Sequence, residues 1–135
     1  MVKDSRRRAS APRPSRVVLA AVVDVVLVLL FVAIGRGSHD ESGALLGFLT
    51  TAWPFLAGAA VGWLVARAWR HPFAVVRTGV VVWVAAVALG MLLRVASGQG
   101  VQLSFVIVTA IVLGVFLVGW RAVALLVART RSRRG

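Results

Sequence analysis

The chain has 135 residues, 60% of them hydrophobic, with no cysteine, two histidines, four acidic residues and a formal charge of +12. Its mean hydropathy of +0.93 sets it apart from soluble domains, which are about half apolar, and leaves no room for a second domain. The lack of cysteine excludes a disulfide framework, a cysteine zinc site and a thiol nucleophile, and so few acids and histidines leave little material for catalysis or metal binding.

Residues 1–16 carry six basic side chains, two prolines and three serines. Such a segment cannot bury enough surface to fold, so it is expected to be a disordered basic tail. From Val17 to Ile34 every position is apolar except Asp24. A hydrocarbon core of about 30 Å takes about 20 helical residues to cross, so this is the first span. A cleaved secretory signal is the rejected alternative, because its apolar core would be about 7–15 residues and no further spans would follow. The second span is 44–66, a 23-residue stretch with no charge. The third has a 16-residue uncharged centre at 78–93 and reaches about 75–95 if Arg77 and Arg94 extend to the interfaces. The fourth is about 101–122, followed by apolar residues to Ala128 and a basic tail at 129–135. The fold class is therefore all-α: a polytopic membrane protein whose short connections force an up-down-up-down bundle of four transmembrane helices over residues 17–128.

Fourteen Lys and Arg residues fall in the two termini and the 67–77 connection, against Arg36 and Arg94 on the other face. The positive-inside rule puts both termini in the cytoplasm, as a multi-pass protein of the cytoplasmic (inner) membrane. The same distribution argues against nucleic acid. The partners expected instead are the lipid bilayer, with anionic headgroups at the basic tails, and a second copy or another membrane protein.

The second span carries Gly43, Gly47, Thr51, Pro54, Gly58 and Gly62 on one stripe with GxxxG spacing, which lets backbones approach closely. Packing within the bundle and a homodimer face are both open readings. Pro54 should kink the helix by freeing the carbonyl of Thr50. Trp63, Trp69 and Trp120 are expected in an interfacial aromatic belt. There is also a faint repeat: Leu46-Gly47-Phe48 with Gly62-Trp63 returns 57 residues later as Leu103-Ser104-Phe105 with Gly119-Trp120.

Asp24 is the one intramembrane charge. It costs about 2.5–3.5 kcal/mol at a helix centre on the insertion scale. Depth counted from the outer end of the first span places it beside Trp53 and Pro54, Trp83 and Thr109, with Thr50 and Thr51 one turn above. The expectation is a polar layer of Asp24, Thr50, Thr51, Trp53, Trp83 and Thr109, in which Asp24 accepts from Trp53, a threonine hydroxyl or both and has no basic partner at its depth. It is either a structural node or a proton or ion site. A second cluster, Arg36, His39, Asp40, Glu41 and Arg94, lies at the outer face. It could offer metal ligands or an acid–base pair, but an ion pair of Arg94 with Asp40 or Glu41 in a solvated loop fits better. No nucleotide, nucleophile-elbow or zinc-protease motif is present, so neither an enzyme nor a cofactor is expected.

The stretch from Asp24 to Arg121 resembles a family of small bacterial four-helix membrane proteins known as domain of unknown function 3054. The residues that carry the likeness are Arg36-Gly37-Ser38-His39-Asp40, Trp53-Pro54-Phe55, Gly58, Gly62-Trp63, Arg94 and Gly119-Trp120-Arg121. The resemblance implies four helices and no assigned activity. Three functions therefore remain: a non-enzymatic bundle that acts by association within the membrane, a small transporter or proton-coupled carrier using Asp24, and, behind these, an outer-face sensor using His39.

Overall fold

The computed structural model describes residues 12–36 and 44–134. Gly43, His39, Asp40 and Glu41, with any ion pair they make, lie outside these residues, as do residues 1–11 of the N-terminal tail. Four helices run up, down, up and down: α1 (Pro14–Arg36), α2 (Ala44–Ala66), α3 (Val81–Ala96) and α4 (Leu103–Arg134), with a π-helical turn at Val75–Val80 leading into α3. Each of the four spans is long and apolar enough to cross a membrane.

The helix ends differ from those expected. Helix α1 begins within the supposed tail, because Pro14 stands at its first position, where the fixed φ is already helical and no N–H is lost. Helix α4 continues unbroken to Arg134. The run Ala122–Ala128 is therefore helix, and so is most of the supposed C-terminal tail. Arg and Ala are good helix formers, and nothing in that run interrupts the ladder.

The core follows from helical spacing. On α1 the buried residues are Ala20, Asp24, Val28, Phe31 and Val32; on α4 they are Thr109, Leu113, Leu117 and Arg121, one turn apart. Phe55 of α2 meets Phe31 edge-on at 5.5 Å between centroids and lies among Val28, Val82, Ala86 and Leu113 in the same cluster. Helices α2 and α3 make the closest pair. A Cβ on Gly58 would sit 2.8 Å from the Ala85 carbonyl oxygen, and one on Gly62 would sit 2.8 Å from Val82 Cα. Within the bundle, Gly58 and Gly62 of the small-residue stripe are covered by α3, while Gly47 and Thr51 face Arg36 of α1. Val22, Val26, Leu30, Leu64 and Ile111 point outward. An apolar exterior over a close-packed interior is what a multi-pass membrane protein presents to lipid.

Helix α2 ends in a Schellman motif. The Ala68 N–H bonds the Trp63 carbonyl at 3.0 Å and the Arg67 N–H bonds that of Leu64 at 3.3 Å, with Arg67 at φ 51°. Glycine normally takes that left-handed position, so Arg67 holds it at a cost of about 1–2 kcal/mol. The chain then turns through the buried Ala68 and Pro72 into the π-helical turn. That turn opens with the Gly79 N–H on the Ala74 carbonyl at 3.0 Å and is tied back by Thr78 Oγ1 donating to the His71 carbonyl.

A candidate functional site around Asp24

Asp24 is 2% exposed, and both of its oxygens are fully engaged. Oδ1 accepts from Trp120 Nε1 at 2.8 Å and from Arg121 Nη1 at 2.9 Å. Oδ2 accepts from Trp63 Nε1 at 2.8 Å and from Arg121 Nη2 at 2.6 Å. A carboxylate has about four lone-pair positions, and here each meets a donor. The guanidinium is bidentate, the geometry in which arginine and carboxylate bind most strongly.

Arg121 is itself fully buried and held from three further directions. Nε donates to the Pro72 carbonyl and Nη1 to the Leu117 carbonyl, each at 2.9 Å, and its guanidinium carbon lies 4.6 Å from the Trp120 ring centre. Phe73 meets Trp120 edge-on at 5.4 Å and carries Arg16 over its own face at 4.6 Å. A stack of Arg16, Phe73, Trp120 and Arg121 thus runs from the start of α1 down to Asp24. The π-helical turn fits against the same side chain: a Cβ on Gly79 would lie 3.1 Å from Arg121 Cδ.

Asp24 therefore meets none of the partners expected from depth. Trp53 is 42% exposed, and Trp83 donates to the Ala110 carbonyl at 2.8 Å. Thr50 and Thr51 bond back to the Leu46 and Gly47 carbonyls. The Thr109 hydroxyl is buried and without a partner. Nor does Asp24 lack a basic partner, since Arg121, counted as part of the basic tail, is that partner. Two physical reasons account for the difference. First, the outer helix ends are not level: Arg36, the last residue of α1, bonds Thr51 at 3.1 Å, about two turns inside α2. Twelve residues below Arg36, Asp24 therefore stands near residue 63 of α2, not residue 53. Second, side chains on a helix lean toward its N-terminus. On antiparallel helices Asp24 leans one way and Trp63, Trp120 and Arg121 lean the other, which closes the remaining gap. Trp63 and Trp120 thus turn inward from the expected belt, while Trp69 stays 43% exposed.

At the opposite end Arg36 and Arg94 approach one small pocket, of about 130 Å³, shared with Thr51, Gln99 and Phe105. Arg94 donates to Gln99 Oε1 and to the Gly100 carbonyl, each at 2.9 Å, and lies 4.5 Å from the Phe105 ring centre. Gln99 Nε2 then reaches the Thr50 carbonyl at 3.0 Å, tying the α3–α4 connection to α2. Among the described residues no group of three or more His, Cys, Asp or Glu could hold a metal ion.

The family described as "Protein of unknown function (DUF3054)" matches over residues 21–124. The chain belongs to that family. The matched DUF3054 segment holds all four residues of the carboxylate cluster, from Asp24 three residues after its start to Arg121 three before its end. No curated protein and no solved structure matches the chain significantly. Gly62-Trp63 and Gly119-Trp120 are the two halves of the repeat at offset 57. The two indoles of that repeat are the ones that meet on Asp24, one on each oxygen.

Proposed function

We propose that this DUF3054 protein is a non-enzymatic membrane bundle that acts by association with other membrane components, with its basic end in the cytoplasm. The observation that carries the reading is the saturated carboxylate of Asp24. An acid used for proton or ion coupling has to exchange its ligand, and here that would mean breaking a bidentate guanidinium pair and two indole bonds together. In a medium of low dielectric a buried charge left unpaired costs several kcal/mol. The cluster joins α1 to α2, to α4 and to the connection before α3, which is the work of a clamp that sets helix positions. The distribution of fourteen basic residues against two supports the orientation.

The carrier reading keeps one observation in its favour. Asp24 backs a groove of about 450 Å³ between α1 and α2, lined by Ala21, Val25, Leu56, Ala59, Ala60, Trp63 and Leu64. Proton flux into reconstituted vesicles under a pH gradient separates the two. The association reading expects the same low flux from the parent protein and from Asp24→Asn. Flux in the parent that disappears in Asp24→Asn overturns it in favour of the carrier.

A further inference from the structure

At the basic end, the first turn of α1 and the connection before the π-helical turn enclose an open notch of about 630 Å³, lined by Arg13, Ser15, Arg16, His71 and Phe73 among others. We propose that this notch is a binding site for a phosphate ester, supplied by the headgroup of an anionic lipid. The proposal requires that the chain span a bilayer, not that it act by association.

Three observations bring this chemistry to the notch. Hydrogen-bond-donating basic side chains from two elements far apart in sequence converge there: Arg13 and Arg16 from the start of α1 and His71 from the α2–α3 connection. Arg16 is already positioned, because its guanidinium lies over the Phe73 ring at 4.6 Å. Stacking uses the face of a guanidinium and leaves its N–H edge free for the bidentate geometry that phosphate oxygens accept. Finally, no acid within the described residues neutralises the group. Asp24 is the one carboxylate among them, and its lone pairs are taken by Arg121, Trp63 and Trp120.

The location favours a lipid over a soluble anion. Val18 and Val22, one and two turns into α1 from the notch, are exposed on the lipid-facing side. A headgroup in the notch would thus lay its acyl chains along an apolar helix face. Juxtamembrane basic clusters attract anionic lipids by general electrostatics alone, so the test has to separate a built site from diffuse charge.

The protein, purified in nonionic detergent, is titrated with short-chain phosphatidylglycerol, with phosphatidylcholine of the same chain length, and with inorganic phosphate. Two variants lose the same charge from the same end: Arg13→Gln with Arg16→Gln, and Arg129→Gln with Arg131→Gln. The expected result is phosphatidylglycerol binding weakened about tenfold or more by the first pair and less than about threefold by the second, with phosphatidylcholine and inorganic phosphate weak throughout. Inorganic phosphate that binds as tightly as the lipid, and is lost in the first pair alone, supports the phosphate site and overturns its lipid source. Equal losses in the two pairs, or no loss in the first, overturn the site itself. His71→Gln, at an exposed side chain, guards against misfolding: it should weaken lipid binding severalfold at an unchanged melting temperature, and undiminished binding there counts against the notch.

Discussion

Arg121 grips both oxygens of Asp24, at 2.9 and 2.6 Å, across 97 positions of the chain. The pair fastens the first helix to the last, and neither charge reaches solvent: the two side chains are 0% and 3% exposed. Removing one member leaves the other charged and buried, whereas replacing both removes the problem.

Asp24→Leu should therefore lose ~3–5 kcal/mol of stability, and Arg121→Leu a similar amount. The double variant Asp24→Leu with Arg121→Met should recover most of the loss. Unfolding in mixed detergent micelles, followed by circular dichroism, measures all three. A stable Asp24→Leu single variant would mean that the carboxylate carries no buried counter-charge.

The two indoles can be told apart from a third. Trp63→Phe and Trp120→Phe each remove one hydrogen bond to an ionised acceptor, for a loss of about 1.5–3 kcal/mol apiece. Trp53→Phe, at an exposed position that does not reach Asp24, should change stability by less than about 0.5 kcal/mol. Melting temperatures of the three variants in one detergent check the order. Equal losses at Trp53 and Trp63 would restore the mid-membrane layer that depth arithmetic suggests.

Close approach of α2 to α3 sets a second contrast. Gly58→Ala places a methyl group 2.8 Å from a backbone carbonyl oxygen and should cost about 1–3 kcal/mol through forced separation of the helices. Gly119, inside α4, has nothing within 4 Å of its would-be Cβ. Gly119→Ala should stabilise by about 0.5–1 kcal/mol, the helix-propensity gain alone. Thermal unfolding of the two variants side by side tests the signs. If Gly58→Ala were neutral while dimerisation was lost, the stripe would belong to an interface between chains.

The π-helical turn should loosen when its tether is cut. Thr78 is fully buried and its hydroxyl holds the His71 carbonyl, the residue before the Pro72 carbonyl that receives Arg121 Nε. Thr78→Val keeps the shape, strands one carbonyl and should cost about 1–3 kcal/mol. Amide hydrogen exchange at Gly79, whose N–H opens the turn on the Ala74 carbonyl, should accelerate. Unchanged protection at Gly79 would show that the turn stands without Thr78.

Much of this architecture was legible along the chain. Four apolar stretches long enough to cross a bilayer need no tertiary information, because each must satisfy its own backbone as a helix wherever water is absent. The GxxxG spacing on α2 announced a close helix contact, although not which helix would make it. Asp24 stood out for the same reason, a charge where the neighbours are all apolar. Its partners did not stand out, since Arg121 reads as one more basic residue of a cytoplasmic flank and Trp63 and Trp120 as ordinary interfacial tryptophans.

The sequence by itself determined the number of helices, their alternation and the residue that would need a partner, because hydropathy and segment length are properties of each stretch alone. Only the tertiary structure decided what Asp24 binds. That depends on how far α1 slides along α2 and α4, on side-chain lean and on the turn at Val75–Val80. A shift of one helical turn, about 5.4 Å, exchanges one set of donors for another without changing the hydropathy of any segment.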